Sequence, residues 1–369
     1  MTIAVKTPDP KIALTLQELT ACQHLARTHI TFSLTLNCPL RCAHCIVDAG
    51  PDKAATSMPL AVAARYGAQM PALARHGIRG ICFTGGEPLV ARAPLRVMSE
   101  AAAAAGIDVS VVTAAQWAAT PDRAAGLVAQ FPAISCWDIS FDAHHLPWVD
   151  IHHIRNAVTA LRAAGRRANI RVTYSDPMTE ADRRIMDDLA AIGEADCVAQ
   201  ALRPVGRGED LHAPRPHGWS PWIKPCLTQG MVVRYDGSVS PCCLNLVESR
   251  AHPFRFGAPL VEDLVQVHRR FLTDPLLQLI RALGFGPLRD WIEAEGLAHL
   301  LPDPVPEEVC ELCTAIMHRP ELARLVQARA AEGEVPAKIA VIAAKVLGET
   351  DMLRAVAPDI LSPEPESLP

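Results

Sequence analysis

A chain of 369 residues, half of them hydrophobic, is long enough for a β/α barrel with a small additional domain and has ample apolar surface for a core. Its net charge is only −5 and its basic residues are scattered, which argues against a nucleic-acid-binding surface. The opening MTIAVKTPDP lacks the apolar run of a secretory signal and no stretch is long enough to span a membrane, so we expect a soluble, cytoplasmic protein.

Residues 31 to 203 alternate short β-branched runs with longer alanine-rich runs that favour helices. Strands are predicted over 31–37, 80–84, 108–113, 135–141, 169–174 and 196–202, and helices over 59–76, 93–105, 122–130, 150–164 and 179–192. Such alternation is typical of a parallel sheet with right-handed crossovers, and a complete barrel needs eight units. Six units therefore predict an α/β fold with a partial, TIM-like (β/α)6 barrel.

The composition of the chain changes after Arg203. Residues 204–225 are rich in proline and glycine and include Trp219 and Trp222. We expect these tryptophans to offer rigid contact area to a substrate; the alternative is that both cover the open end of the barrel and touch no substrate. A DG turn predicts a hairpin over 231–240, and helices are predicted over 260–301 and after 321. We divide the chain into an N-terminal extension (1–30), a barrel (31–205), a small C-terminal domain (206–320) and a helical tail (321–369).

Twelve cysteines in a chain of this kind indicate metal binding or catalysis, because the cytosol keeps thiols reduced. Four of them stand alone and are expected to pack as small hydrophobic residues: Cys22, Cys82, Cys136 and Cys197. The other eight fall into three groups.

The first group is a C-x3-C-x2-C run, Cys38, Cys42 and Cys45, directly after the first predicted strand. Thiolates are the preferred ligands of iron–sulfur clusters, and three ligands for four irons leave one iron open to a small molecule. A structural zinc site or a redox thiol cluster is the alternative, although a zinc site closes with four ligands.

Two further motifs lie at strand ends. The second strand is followed by Gly85, Gly86, Glu87 and Pro88, a loop in which glycines let the backbone approach a ligand and the glutamate can accept from an ammonium group. The fourth strand ends with Ser140 and Asp142, which share one face and can bind hydroxyl or carboxylate groups. A helix-capping role for Asp142 is the alternative.

The cysteine spacing and the GGEP loop together resemble the radical S-adenosylmethionine superfamily. The resemblance implies that the open iron of a 4Fe–4S cluster binds the amino and carboxylate groups of S-adenosylmethionine. An electron, from a donor such as flavodoxin or ferredoxin, then cleaves the cofactor to methionine and a deoxyadenosyl radical. The protein supplies orientation and shielding.

The resemblance also implies individual cofactor contacts. The loop from Gly85 to Pro88 would bind the methionine amino group, and Ser140 would contact the cofactor. His44 stands where relatives often have an aromatic residue near the adenine. Thr113, at the end of the third strand, is another implied contact, although Ala114 replaces an asparagine that is common in relatives. Asp142 would point toward the ribose or the substrate. Val205 and Gly206 would lie beside the adenine.

The other cysteine groups follow the pattern C…G-x4-C…C-x2-C, which resembles the auxiliary-cluster region of the SPASM and twitch branches. The implied ligands of one auxiliary 4Fe–4S cluster are Cys226, Cys242, Cys310 and Cys313. One auxiliary cluster is favoured over two because no cysteine follows Cys313. Cys243 is an alternative to Cys242, and a four-cysteine zinc site is the alternative to a cluster.

Candidate proton-handling residues near the predicted strand ends are His145 and Tyr174, which we take as catalytic. The auxiliary-cluster pattern favours maturation of a ribosomally made peptide by crosslinking or epimerisation. The alternatives are a small-molecule enzyme, such as a sugar or cyclitol dehydrogenase or epimerase, and a non-catalytic metal-binding scaffold.

Overall fold

The computed structural model describes residues 23–193, 195–203, 205–211, 220–243, 252–256 and 263–358. The strands are β1 (His29–Ser33), β2 (Gly80–Thr84), β3 (Asp108–Thr113), β4 (Cys136–Ser140), β5 (Arg167–Tyr174), β6 (Asp196–Ala201), β7 (Met231–Arg234) and β8 (Val239–Ser240). The first six helices are α1 (Leu60–Gly67), α2 (Met70–His76), α3 (Arg92–Ala104), α4 (Pro121–Val128), α5 (Ile151–Ala163) and α6 (Glu180–Ala190). The C-terminal helices are α7 (Leu264–Thr273), α8 (Pro275–Leu283), α9 (Gly286–Ala294), α10 (Val309–Met317), α11 (Pro320–Ala330), α12 (Val335–Val346) and α13 (Asp351–Val356).

The strands form one sheet in the order β6-β5-β4-β3-β2-β1-β7-β8, with β1 to β6 parallel. The predicted α/β class and its six β/α units are confirmed. Because each strand lies beside the next one in the chain and crossovers are right-handed, the connecting helices all pack on the same face. This winding in one direction gives a curled sheet, a partial barrel, rather than a doubly wound one.

The two faces of the sheet differ in polarity. Residues in register on the helix-covered face are apolar and buried, as in the rows Ile30–Ile81–Val109 and Phe32–Phe83–Val111. The opposite face carries polar side chains, among them Ser110, Asp138, Ser140, Asn169 and Arg171. A strand places alternate residues on opposite faces, so the apolar residues anchor the helices while the polar ones line the concave side.

Two predicted helical regions are interrupted by prolines. The region 59–76 is divided into α1 and α2, and α2 has Pro71 in its first turn. The region 260–301 contains α7, α8 and α9, and Pro275 and Pro287 stand in the first turns of the last two. Proline favours the start of a helix but cannot continue one, which explains both divisions.

The hairpin predicted around the DG turn is confirmed as β7 and β8. Its position was not predicted: β7 pairs in parallel with β1 and extends the sheet beyond the first strand. Three helical segments after residue 319 also confirm the predicted helical tail. Within the described residues, no helix is long and apolar enough to cross a membrane.

A buried ion pair attaches the C-terminal tail to the rest of the chain. Both Nη atoms of Arg281 in α8 bind the Glu349 carboxylate at 2.7 Å, and both side chains are almost fully buried. Arg281 also donates to the backbone oxygen of Gln23, whose side chain donates to the carbonyl oxygens of Arg281 and Cys226. The pair therefore connects the tail to the backbone of a predicted metal ligand.

We expect Glu349→Ala to lower the free energy of unfolding by about 3–5 kcal/mol, because it leaves the buried Arg281 charge without its partner. Urea unfolding followed by circular dichroism measures the change. The control is Glu334→Ala, whose exposed partner Lys338 lies at 3.2 Å and whose loss should cost less than about 1 kcal/mol. Equal losses in the two variants would contradict the importance assigned to the buried pair.

Candidate metal and cofactor site

The first cysteine group lies on a loop that is closed at its base. Asn37 and Gly50 form a β-bridge, the Cys38 amide donates to the Gly50 carbonyl at 3.2 Å, and the Gly50 amide donates to Leu36 at 3.1 Å. Burial raises the pKa of the Cys38 thiol to about 12, with smaller contributions from Glu87, Cys42 and Cys45. The three thiols of the loop therefore lie close enough to influence one another.

The donor set of this loop fits an iron–sulfur cluster. Backbone amides of Leu40 and Ala49 donate to the sulfur atoms of Cys38 and Cys45, each at 3.4 Å. Amide hydrogen bonds of this kind stabilise negative charge on thiolate ligands. Burial of the Cys38 thiol, in contrast, raises its pKa and so disfavours its ionisation. A cationic metal group would offset that cost.

Arg207, which the sequence analysis did not single out, holds this loop from outside. Its guanidinium donates to the Cys42 carbonyl at 2.9 and 3.1 Å, to the Ala49 carbonyl at 2.6 Å and to the Asp48 carboxylate at 2.8 Å. The loop follows β1 and Arg207 follows β6, five strand positions away. In a flat sheet these strands would stand about 24 Å apart. The contact therefore requires the sheet to curl and bring the two segments together across its mouth.

Gly206, a predicted cofactor-binding residue, packs against the same loop. Its φ is +59°, and a Cβ atom there would lie 2.6 Å from the Cys45 carbonyl oxygen. Val205, also predicted beside the cofactor, is half-buried and precedes it, its amide donating to the Arg203 carbonyl at 2.9 Å. The structure thus places the 205–207 segment directly beside the cysteine loop.

The GGEP loop packs on the chain that leads into the cysteine loop. The Gly86 amide donates to Thr35 at 2.6 Å and the Glu87 amide to Asn37 at 2.9 Å, and Cβ atoms at Gly85 or Gly86 would collide with residues 35–37. Close backbone packing therefore explains both glycines. Pro88 is buried in the short 3-10 turn that follows.

The Glu87 side chain is 1% exposed, and its carboxylate is already engaged. It accepts from the Thr113 hydroxyl at 2.9 and 3.0 Å, from the Leu89 amide at 3.1 Å and from the Ala114 amide at 3.2 Å. The Thr113 hydroxyl in turn accepts from Trp117 Nε1 at 2.9 Å. The side chains of the two predicted contact residues, Glu87 and Thr113, thus join the GGEP loop to the end of β3. Thr113 lies on the face of the sheet opposite to Ser140.

His44, Asp142 and His145 form one cluster, with their ligand atoms within 4.8 Å of one another. Asp142, 1% exposed, contacts His44 Nε2 at 3.1 Å and His145 Nδ1 at 2.9 Å. Burial alone would raise the pKa of Asp142, but these contacts hold it below its ordinary value. Burial disfavours a charged His145, yet Asp142 and the Cys42 thiol raise the pKa of that imidazole to about 10. Asp142 thus bonds the imidazole rings of His44 and His145, and it also accepts from the His144 amide.

His44, which contacts Asp142 through Nε2, has a second ring nitrogen that bonds nothing among the described residues. Its ring stacks on that of His144 with centroids 4.6 Å apart, and its Nδ1 is buried with no hydrogen-bond partner among the described residues. An imidazole whose plane is fixed by a carboxylate can stack on an aromatic ring through its free face, or bond a polar group in its plane through Nδ1. The predicted cofactor contact of His44 stays a prediction.

Ser140 and Arg171 are direct neighbours on the polar face, because β4 and β5 pair Ser140 with Arg171. Arg171 was not predicted, although strand alternation in NIRVTY indicates that it faces away from the buried Ile170 and Val172. Tyr174, predicted as catalytic, lies on that buried face and is 8% exposed, and burial raises the pKa of its hydroxyl. The structure thus brings Arg171, not Tyr174, beside Ser140.

The four predicted auxiliary ligands come together from three separate segments. Burial raises the pKa of the Cys313 thiol well above 9, and Cys226, Cys242 and Cys310 raise it further. Cys243, in contrast, interacts with Arg234 and Arg171, on the sheet side. The choice of Cys242 over Cys243 as the fourth ligand stays a prediction.

Other predicted features lie elsewhere. Trp222 is buried, its carbonyl accepts from the Phe285 amide at 2.7 Å, and it is therefore a packing residue rather than an exposed substrate contact. Trp219 and Cys22 lie outside the described residues. Cys136 is buried, whereas Cys82 and Cys197 are half-buried.

Comparisons with known proteins find no matching family model and no matching curated protein. Among solved structures, the chain is similar to "Native anSMEcpe with bound AdoMet" (14% identity, 65% of this chain and 79% of that chain, TM-score 0.49). It is also similar to BtrN in complex with AdoMet and 2-DOIA (14% identity, 71% and 89%, TM-score 0.42). A third is TsrM, a radical S-adenosylmethionine methyltransferase from Kitasatospora setae with cobalamin and a 4Fe–4S cluster (16% identity, 90% and 66%, TM-score 0.39). Because these identities and TM-scores are low, the similarities by themselves carry no functional conclusion for this chain.

We expect Gly206→Ala to reduce the iron bound by the first cysteine group, because the added methyl would push the Cys45 carbonyl away. Iron content and visible absorption after anaerobic reconstitution measure the loss. Gly126→Ala is the matched control, since a Cβ atom at Gly126 in α4 meets nothing within 4 Å. Unchanged iron in Gly206→Ala would show that the close approach is not needed to shape the loop.

Proposed function

We propose that the protein is a radical S-adenosylmethionine enzyme. The observation that carries this proposal is the closed loop that brings Cys38, Cys42 and Cys45 together, with amide donors to two of the sulfurs. Three thiolates leave a four-iron cluster one open coordination position. The polar face beside it offers the groups that an amino-acid-bearing nucleoside requires, and these support the proposal independently.

When bound, the cluster and S-adenosylmethionine would supply an electron and a deoxyadenosyl radical that abstracts hydrogen from a substrate. The Arg171 guanidinium would pair with the cofactor carboxylate, and the neighbouring Ser140 hydroxyl would donate to it. His44, held by Asp142, would stack on the adenine. The GGEP loop would receive the amino group through its backbone carbonyls, because the Glu87 carboxylate is engaged elsewhere.

We further propose one auxiliary 4Fe–4S cluster on Cys226, Cys242, Cys310 and Cys313. Its support is the convergence of four thiols from three segments on the buried Cys313. For the substrate, the auxiliary-cluster pattern favours an encoded peptide that is crosslinked or epimerised. The burial of Trp222 removes one expected wall of an extended groove, and this observation keeps a sugar or cyclitol as the second candidate substrate.

The iron content tests the number of clusters. We expect about eight irons per chain after anaerobic reconstitution, since seven cysteines serve two four-iron groups. Replacing Cys38, Cys42 and Cys45 together with alanine should leave about four irons and abolish formation of deoxyadenosine under reduction. Stoichiometric zinc in the variant would contradict the proposed auxiliary iron–sulfur cluster. Retained cleavage of S-adenosylmethionine would contradict the assignment of Cys38, Cys42 and Cys45 as ligands of the cofactor-binding cluster.

Cofactor binding tests Arg171. We expect Arg171→Met to weaken binding of S-adenosylmethionine to the reconstituted protein by about 10- to 100-fold, the cost of losing hydrogen bonds to a charged group, with iron content unchanged. Equilibrium dialysis with labelled cofactor measures the affinity. Arg167→Met is the control, because Arg167 lies on the same face at the opposite end of β5. Equal effects of the two substitutions would remove Arg171 from the cofactor site.

A further inference from the structure

One short segment after β6 contacts both cysteine groups. Arg207 binds the carbonyl of Cys42 in the first group, as described above. Four residues earlier, the Nη1 atom of Arg203 donates to the sulfur of Cys310 in the second group, at 3.5 Å. The same stretch of chain therefore carries one arginine to each predicted metal site.

The contact of Arg203 differs in kind from that of Arg207. Arg207 binds backbone oxygens and shapes a loop, whereas Arg203 reaches a predicted ligand atom itself. A guanidinium stays charged at every working pH, so the bond is charge-assisted whenever Cys310 is a thiolate. Arg203 therefore places a permanent positive charge at one corner of the auxiliary thiol group.

The carboxylates near Cys310 act on the pKa of its thiol in the opposite direction to Arg203. Burial raises the pKa of its thiol most strongly and Arg203 lowers it, whereas Glu308 and Glu311 raise it. Arg281 acts on Cys226, but its guanidinium is bound to the Glu349 carboxylate. Arg203, by contrast, donates a hydrogen bond directly to a sulfur of this group.

The potential of an iron–sulfur cluster depends on hydrogen bonds to its sulfurs, on nearby charge and on exposure. Reduction adds one negative charge to the cluster. A cation bonded to a ligand sulfur stabilises the reduced form more than the oxidised form, and so raises the reduction potential. The position of Arg203 thus predicts a specific electrochemical effect.

We propose that Arg203 is a positioning residue that raises the reduction potential of the auxiliary cluster through its hydrogen bond to Cys310. This inference rests on the proposed function, since it requires a cluster on Cys226, Cys242, Cys310 and Cys313. It assigns to the segment after β6 a second task besides holding the first cysteine loop.

The test is a redox titration of the reconstituted full chain, followed by electron paramagnetic resonance. Added S-adenosylmethionine distinguishes the first cluster by changing its signal, and the variant lacking Cys38, Cys42 and Cys45 gives the auxiliary signal alone. We expect Arg203→Met to shift the auxiliary midpoint potential to a more negative value, and Arg203→Lys, which keeps the charge, to shift it less. Arg65→Met, an exposed position in α1, should leave it unchanged.

An unchanged potential in Arg203→Met, with the auxiliary cluster intact, would overturn the proposal and leave the proposed function untouched. Loss of auxiliary iron from both Arg203 variants would also overturn it, since Arg203 would then be needed to hold the cluster. Zinc on the four thiols of the unaltered chain would overturn this inference and the auxiliary cluster together.

Discussion

The loop that carries Cys38, Cys42 and Cys45 is held from both sides. The backbone bridge between Asn37 and Gly50 closes the base, and Arg207 gathers the carbonyls of Cys42 and Ala49 from outside. Because Arg207 follows β6 and the loop follows β1, the arrangement of this cysteine loop depends on the curl of the whole sheet. The candidate site is therefore a product of the whole curled sheet and not of the cysteine loop alone.

Two buried carboxylates lie next to this loop, and each has polar partners. Charge in a low-dielectric interior is stable only when it is paired, and Asp142 obtains its partners from His44 and His145. Glu87 is buried in the same way but is satisfied by Thr113 and backbone amides. One carboxylate thus orients two imidazole rings, while the other joins two loops.

The C-terminal region depends on a different interaction. The buried pair of Arg281 and Glu349 connects the tail to α8 and, through Gln23, to the backbone of Cys226. The amide of Cys226 also donates to the Ile280 carbonyl, next to Arg281. The position of one predicted auxiliary ligand is therefore coupled to packing of the last helices, which makes the tail part of the site's support.

The sequence by itself determined the elements and the candidate ligands. Periodicity predicts six β/α units, and the spacing of Cys38, Cys42 and Cys45 predicts a metal loop, because both signals are local in the chain. Only the tertiary structure decided that β7 pairs with β1, that Arg171 lies beside Ser140, and that Arg203 and Arg207 reach two cysteine groups. Those contacts join residues far apart in sequence, and an arginine that will cross a barrel mouth has the same local pattern as one that faces solvent. Register and curvature, which no single segment contains, make the difference.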